Sequence, residues 1–288
     1  MAVRDQELTQ LETGLDALEV PLPRRVSRGR KIWRATWPKV VATAIVFGIW
    51  EFLWLIEWKP RFQFPSPSQA INYIFDNFSL VTEAAWTTLS RGIYGFAIAL
   101  VIGTVVGGLV ARIPVLRAGV GSMITGLQTM PSVAWFPAAL ILFKPTETAI
   151  LFVVVLGATP SIANGLINGI DNIPPVLLRA GRVLGATRLA AFRNVVLPAA
   201  LPSFVGGLKQ AWAFAWRSLL AGELLVLIPG KHSLGEQLEY NRSFGDAAGI
   251  FGMMIVIFII GVCMDAFVFG AADRAVRRRY GLVDAAAG

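Results

Sequence analysis

The feature that most constrains this chain is a set of six long apolar blocks separated by shorter polar segments. The blocks cover residues 40–56, 92–111, 120–143, 148–167, 204–228 and 249–270. A helix needs about 20 apolar residues to cross the roughly 30 Å hydrocarbon core of a bilayer. Backbone groups inside that core must form their hydrogen bonds within their own segment. We therefore predict an all-α, polytopic membrane protein with six transmembrane helices.

Positive charge predicts the orientation of these helices. Most Lys and Arg residues fall in 1–39, 112–117, 171–202 and 273–288, which lie on one side of a six-span topology. The opposite loops hold Lys59, Arg61, Lys144, Lys231 and Arg242. Because loops rich in Lys and Arg stay on the inner side, both termini are predicted to be cytoplasmic. The net charge of +8 then reflects topology and contact with anionic membrane lipid, and no nucleic-acid partner is expected.

The composition divides the chain into three parts. Residues 1–37 are predicted to be a cytoplasmic segment in which leucines at helical spacing precede two prolines and a basic run. This segment is either a frayed tail with ordinary inner-face anchoring or a helix on the membrane surface or against a partner. Residues 38–272 form the predicted transmembrane domain, and residues 273–288 form a cytoplasmic tail. Short helices are expected in the outer loops, at 67–77 and within 229–246.

The second apolar block contains Gly103 and Gly107, which form a small-xxx-small pair one helical turn apart. Such pairs allow neighbouring membrane helices to approach closely, so we expect tight packing on this face. The alternative is that these residues reflect only the general abundance of Gly in membrane helices.

The third apolar block is interrupted by Pro131 and Pro137, in the sequence QTMPSVAWFP. Interior prolines remove a backbone donor and kink a helix, and broken helices often line the solute path of transporters. Candidates for this path are Gln128, Thr129, Ser132 and Trp135. The alternative is a structural kink without contact to a solute.

Several charged residues fall inside the predicted spans, where charge is costly and usually faces protein or water. Arg217 is placed at a depth where it could attract an anionic solute, and Glu223 is a second candidate for the path. The two lie on different faces of one helix, so each would need a partner from another helix. The alternative is that these charges tie helices together. Asp265 is expected to pair with an Arg near the inner face.

A basic segment, about residues 171–202, lies between the fourth and fifth apolar blocks. Its sequence from 177 onward, LLRAGRVLGATRLAAFRNVVLPAALP, places apolar residues at the three- and four-residue spacing of a helix that inserts into a groove of a partner. Gly185 is suited to end such a helix and to admit a close backbone approach.

Five motifs, in order, resemble the permease subunits of bacterial ABC importers of the nitrate/sulfonate/taurine type. They are TTLSRGIYGF at 87–96, PSVAWFP at 131–137, the basic segment with its continuation SFVGGLKQAWAFAWRSLLAGELL, SLGEQL at 233–238 and GVCMD at 261–265. The resemblance covers about residues 84–280. It implies a type I ABC importer permease-like fold in the bacterial plasma membrane.

The resemblance also implies that the basic segment is a coupling loop that docks on an ATPase. The implied contact residues are Leu177, Arg179, Ala180, Gly181, Val183, Leu184, Gly185 and Ala186. The chain departs from the family pattern at Arg179, where the family has an acidic residue, and at Gly181, where the family has Ala. Arg179 therefore cannot make the usual contact of the acid.

Partners follow from the same resemblance. It implies a second copy of this chain, two ATP-binding cassette ATPase subunits on the inner face and an extracytoplasmic substrate-binding protein. The sequence has no G-x-x-x-x-G-K-[ST] phosphate loop, so ATP and Mg²⁺ are expected on the ATPase and no cofactor on this chain.

We therefore expect a permease for a small anionic solute, with aliphatic sulfonate or taurine ahead of nitrate, bicarbonate or a thiamin-precursor pyrimidine. A stand-alone secondary transporter is the alternative, although it would leave the coupling loop without a purpose. A membrane enzyme is not expected, because the spans hold no paired carboxylates, no Ser/His/Asp set and no metal-ligand cluster.

Overall fold

The computed structural model describes residues 28–280. The predicted N-terminal leucine helix and the end of the predicted cytoplasmic tail lie outside the described residues. Within residues 28–280 every regular element is a helix, which confirms the predicted all-α class. The described residues divide into two units, residues 28–49 and residues 50–280.

The described part of the first unit is a single helical stretch. Helix α1 (Arg28–Leu55) begins in this unit, ends in the second, and contains Pro38 in its first half. From Thr36 to Leu55 it is long and apolar enough to cross a membrane. Its apolar side chains before residue 50 are exposed for the most part, so this stretch is suited to contact with lipid.

The second unit is a bundle of long helices joined by short ones. In chain order its helices are α2 (Pro67–Asp76), α3 (Phe78–Arg112), α4 (Pro114–Thr129), α5 (Phe136–Phe143), α6 (Glu147–Asp171), α7 (Pro175–Val183), α8 (Arg188–Ala191), α9 (Leu197–Leu225), α10 (Leu234–Phe244), α11 (Ala247–Cys263) and α12 (Gly270–Arg279). A 3₁₀ turn at Ser132–Trp135 separates α4 from α5. Turns of π-helix at Phe192–Val196 and Met264–Phe269 precede α9 and α12.

Four helices in the described residues are long and apolar enough to cross a membrane, or five if a bent pair is one span. The four are α1, α3, α6 and the continuous run from α11 to α12. The bent pair is α4 with residues 132–143, which meet at 104°, at the break that Pro131 predicts. The predicted span at 204–228 is helical up to Leu225, within α9, but this helix is not in the apolar set. Six spans and cytoplasmic termini therefore stay predictions.

Helix α6 is the central element of the bundle and packs against α3 on one side and α9 on the other. A Cβ atom added to Gly107 would lie 2.8 Å from the carbonyl oxygen of Ala163, which confirms the close packing predicted for α3. On the other side, a Cβ atom on Gly165 would lie 2.7 Å from the Cα atom of Gly207. Both contacts require the absence of a side chain, because packed helices leave no space for one at these distances.

Two short helices, α2 and α10, form the outer elements of the unit, and both begin with a capping box. Ser66 and Ser233 accept hydrogen bonds from the backbone three residues on, and Gln69 and Glu236 reach back to the cap. These helices confirm the expectation of helical segments in the outer loops. They are joined through α11, against which both pack.

A partly buried hydrogen bond ties α2 directly to α10. The Tyr73 hydroxyl donates to Asn241 Oδ1 at 3.1 Å. Burial raises the pKa of the Tyr73 phenol above its usual range, so the hydroxyl keeps its proton and remains a donor.

Candidate functional site

The break between α4 and α5 holds a cluster of polar side chains between three helices. Gln128 Nε2 donates to Ser161 Oγ at 2.9 Å, and Asn164 Nδ2 donates to Gln128 Oε1. These bonds link α4 to α6 within a largely apolar bundle. The sequence indicated Gln128 but gave no signal for its partners on α6, which lie more than 30 residues away along the chain.

Ser132 extends this cluster toward α9. A Cβ atom added to Gly157 would lie 2.7 Å from Ser218 Oγ and 3.6 Å from Ser132 Cβ, so these three residues meet. Gly157 and Ser161 are four residues apart and share one face of α6. We call the set Gln128, Ser132, Ser161, Asn164 and Ser218 the helix-break cluster. Gln128, Ser132 and Asn164 are partly exposed and can hydrogen-bond a passing solute, whereas Ser161 and Ser218 are buried and hold the cluster together.

Two other candidates at the break have different surroundings. The Thr129 hydroxyl donates to the carbonyl of Gly126 in its own helix at 2.8 Å, and the residue is exposed. Trp135 is half-buried and packs against the main apolar core. Neither residue joins the hydrogen bonds of the helix-break cluster.

Helix α9 carries a polar stripe on its exposed face. The stripe consists of the polar residues Ser203, Gln210 and Arg217 with the small residues Gly206 and Ala213 between them. Their spacing of three and four residues places all five on one side of the helix. Arg217 Nε donates to the carbonyl oxygen of Ala213 at 2.9 Å, and the guanidinium lies 4.9 Å from the ring centre of Phe214. Within the described residues Arg217 has no acidic partner, so its charge is available to an anion.

Glu223, the second charged candidate on α9, lies elsewhere. Its side chain is fully buried and accepts hydrogen bonds from Arg91 Nη1 at 3.0 Å, Thr88 Oγ1 at 2.8 Å and the Gly235 backbone N–H at 3.2 Å. In this structure Glu223 is therefore inaccessible to a solute. The expectation that Arg217 and Glu223 each need a partner from another helix is met for Glu223 by α3.

The Arg91–Glu223 pair belongs to a larger group of charges, which we call the outer charge knot. Arg91 Nη2 also contacts Glu147 at 3.1 Å, and Lys231 Nζ contacts the same carboxylate at 2.7 Å. The backbone N–H of Leu234 donates to Thr88 Oγ1 at 2.9 Å. The knot thereby connects α3, α6, α9 and the start of α10.

A second ion pair joins α9 to the last helical run. Lys209 Nζ lies 3.0 Å from Asp265 Oδ1, and both side chains are about half exposed. The partner of Asp265 is therefore a lysine on α9, and the expectation of an arginine near the inner face is wrong. Asp265 lies in the π-helical turn, a feature that often accompanies functional positions in helices.

The predicted coupling segment forms a short helix, α7, that ends at a glycine. Gly185 has φ +76°, and the Ala186 and Gly185 N–H groups donate to the carbonyls of Gly181 and Arg182, both at 3.0 Å. This is a Schellman motif, in which a residue of left-handed conformation ends a helix. The local sequence therefore determines where α7 stops.

The surface of the coupling segment is unusually apolar. Val183 and Leu184 are 87% and 85% exposed, and Leu177 is 43% exposed. Arg179, Ala180 and Gly185 are exposed as well, and Ala186 is half-buried. Exposed apolar side chains in such a group are typical of a surface that binds another protein.

Gly181 is the exception within the predicted contact set, because it is buried. A Cβ atom at this position would lie 3.0 Å from Val195 Cγ2, in the segment that leads into α9. The departure from Ala at this position is thus matched by a close contact inside the chain.

Residues 28–280 contain no group of three or more His, Cys, Asp or Glu side chains that could hold a metal ion.

Fold and site together define a multi-pass helical membrane protein with an exposed amphipathic segment between two long helices. Residues 99–279 match the family of the binding-protein-dependent transport system inner membrane component. The chain belongs to this family. It is an ABC importer permease of the nitrate/sulfonate/taurine type in the plasma membrane, and the resemblance seen in the motifs is confirmed.

Similar proteins of known name are permeases. The nitrate import permease protein NrtB of Leptolyngbya laminosa is 27% identical over 255 residues, which cover 85% of this chain and 90% of that protein. The bicarbonate transport system permease protein CmpB of Synechococcus elongatus is 31% identical over 188 residues, 64% of this chain and 66% of that protein.

Solved structures share the fold at lower identity. A chain of the inward-facing MetNI methionine ABC transporter has a TM-score of 0.58 and 23% identity, and the match covers 70% of this chain and 97% of that one. A chain of an amino acid ABC transporter crystallised with histidines has a TM-score of 0.58 and 19% identity, with 73% and 98% covered.

Proposed function

We propose that this permease carries a small oxyanion, nitrate or bicarbonate ahead of an aliphatic sulfonate such as taurine. The observation that supports an anionic cargo is Arg217 on the polar stripe of α9, which is exposed and has no acidic partner among the described residues. A guanidinium can form two parallel hydrogen bonds with a planar oxyanion. The nitrate and bicarbonate permeases among its relatives support the order of cargo.

The path for this anion would run along the polar stripe. A polar stripe on a membrane helix is stable only where it faces protein or water. In the homodimer that the family resemblance implies, the stripes of two copies would face a shared path. The partly exposed members of the helix-break cluster, Gln128, Ser132 and Asn164, would add neutral hydrogen-bonding groups. Glu223, buried in the outer charge knot, would not contact the anion.

Energy for transport would come from two ATPase subunits that bind ATP and Mg²⁺. Leu177, Ala180 and Leu184 would insert into a groove of each ATPase subunit, because helix-in-groove recognition uses apolar anchors three, four and seven residues apart. Closure of the ATPase dimer would move α7 and shift the permease pair from inward-open to outward-open. A binding protein would then release its anion into the path, since each ligand favours the state that it binds better.

Uptake by cells that contain the complete transporter tests this proposal. Labelled nitrate, bicarbonate and taurine are supplied in turn, each with the other two as unlabelled competitors. Arg217→Ala should lower uptake at least about tenfold, the loss of one charge-assisted hydrogen-bonding group, while Arg217→Lys keeps part of it. Arg61→Ala, which removes an exposed cation of the outer loop, is the matched control.

The outcomes test the identity of the cargo and the role as an ATP-driven permease separately. Uptake of nitrate or bicarbonate that depends on this chain would support the proposal, and uptake of taurine alone would replace the cargo while keeping the role. Normal anion uptake by Arg217→Ala would refute the proposed path. Uptake that persists when the ATPase is inactivated would favour a stand-alone secondary transporter.

A further inference from the structure

An apolar groove lies between the inner ends of α3, α6 and α9, where the coupling segment enters the bundle. Its volume is about 460 Å³. Its lining comes mainly from α3, α6 and α9 and includes Thr104, Gly108, Arg112, Leu166, Phe192 and Leu197. Apart from a threonine at one end and an arginine at the other, every side chain in this lining is apolar or absent.

Arg112 is the single charge of the groove, and it is held in place by an aromatic ring. Its guanidinium lies 4.1 Å from the ring centre of Phe192, in the π-helical turn after α8. The side chain is exposed and takes part in no ion pair among the described residues. Its neighbour Arg117, by contrast, is paired with Asp171. Arg112 therefore presents an uncompensated positive charge at the edge of an apolar groove.

The groove has the depth of one membrane leaflet. Arg112 is the last residue of α3, at the end that the positive charges assign to the inner face. From Arg112 to Thr104 the helix rises about 12 Å at 1.5 Å per residue. A leaflet contributes about half of the 30 Å hydrocarbon thickness, so the groove reaches most of the way to the bilayer centre.

We propose that this groove binds an anionic phospholipid of the inner leaflet, with an acyl chain along α3 and the phosphate headgroup against Arg112. Basic residues beside helical grooves on the cytoplasmic side are suited to anionic headgroups. Guanidinium groups match phosphate geometrically, and stacking on Phe192 leaves the N–H edges of Arg112 free to donate. The acyl chain would fill apolar volume that water cannot occupy favourably.

The position of the groove makes this lipid part of the connection to the coupling segment. Phe192 and Leu197 lie between α7 and the transmembrane part of α9, and both line the groove. If α7 moves in the coupling role proposed above, a bound lipid would contact the residues through which that movement would reach the bundle.

Native mass spectrometry of the purified full-length protein tests the proposal, with phosphatidylglycerol and phosphatidylethanolamine of identical acyl chains as probes. The wild-type chain should retain one phosphatidylglycerol at least about tenfold more tightly than phosphatidylethanolamine, as expected for a charge-assisted contact. Arg112→Gln should abolish this preference. Arg278→Gln removes an exposed cation of α12 that also has no ion pair among the described residues, and it should leave the preference unchanged.

A second variant tests the acyl chain without touching the charge. A Cβ atom on Gly108 would have only Leu166 Cδ2 near it, at 4.0 Å. Gly108 lines the groove, so the side chain of Gly108→Leu would extend into it. Leu also favours a helix more than Gly does, so folding should be preserved. This variant should lose retention of both lipids.

The proposal is wrong if the wild-type chain retains both lipids equally, or if Gly108→Leu binds phosphatidylglycerol as tightly as the wild type does. It is also wrong if Arg278→Gln and Arg112→Gln weaken binding to the same degree, because that result indicates general attraction to a basic surface. A loss confined to Arg112→Gln and Gly108→Leu supports it.

Discussion

The outer charge knot predicts an unequal response to the loss of its two central charges. Glu223 is fully buried, and Arg91 is its only cationic partner within residues 28–280. Arg91 has a second carboxylate partner, Glu147, at 3.1 Å. Arg91→Leu therefore strands a buried carboxylate, whereas Glu223→Leu leaves the guanidinium with one partner.

The magnitudes follow from this geometry. Removing one member of a buried ion pair costs about 3–5 kcal/mol when the other charge is left without compensation. We expect Arg91→Leu to reach that range. Glu223→Leu should cost less, about 1–3 kcal/mol, the penalty for leaving the donors Thr88 and Gly235 unsatisfied. The Glu147 carboxylate should keep a cationic partner in either variant, because Lys231 Nζ remains 2.7 Å away.

A double-mutant cycle measures the coupling between the two residues. The purified protein in detergent is heated, and the apparent Tm is compared for wild type, each single variant and Arg91→Leu/Glu223→Leu. The double variant should be more stable than Arg91→Leu alone, because no buried charge is left over. Arg61→Leu makes the same chemical change at the exposed pair with Glu57 and should cost less than about 1 kcal/mol.

Two results would refute this reasoning. Equal losses from Arg91→Leu and Glu223→Leu would mean that Glu147 gives Arg91 no useful second contact. Additive losses in the double variant would mean that the pair is not coupled at all, and that the helices are held together by apolar packing alone.

Two further predictions concern glycines. Gly185→Trp should abolish uptake while the protein is still produced and inserted, because the left-handed φ is strained for Trp and its ring would cover the apolar surface of α7. Gly185→Asn, which tolerates this conformation, should keep most uptake, and normal uptake by the Trp variant would contradict the coupling assignment. Gly207→Ala should lower the free energy of unfolding by about 1–3 kcal/mol, and with it the apparent Tm, because its Cβ would lie 2.6 Å from Gly165 Cα. Gly206→Ala, whose Cβ meets nothing within 4 Å, is the control, and equal Tm values for the two variants would show that α6 and α9 can separate freely.

Local sequence signals predicted several elements because the responsible contacts are themselves local. Pro131 predicts the break that the structure places between α4 and α5. Gly185 predicts the end of α7, where its left-handed conformation completes the helix terminus. Gly107 predicts a close helix approach, although the residue that it meets, Ala163, could not be read from its surroundings.

Contacts between distant residues were not predictable in the same way. Glu223 stood out as a charge inside a predicted span, but the sequence holds no signal that pairs it with Arg91 on α3. The choice between a solute path and a structural tie depends on that pairing. For Glu223 the buried contact with Arg91 favours the structural tie, and for Arg217 the absence of an acid in the described residues favours the path.

The composition of helix α9 shows why mean hydropathy can miss a helix that is predicted to cross the membrane. Hydropathy averages all faces of a helix, and α9 has one face of small residues against α6 and another that carries the polar stripe. Neither face adds much apolar character, so the helix is absent from the apolar set although it is 29 residues long. A helix that lines a path must keep polar groups, and a helix that packs closely must keep small ones. In a permease, the least apolar long helix is therefore the first place to look for the solute path.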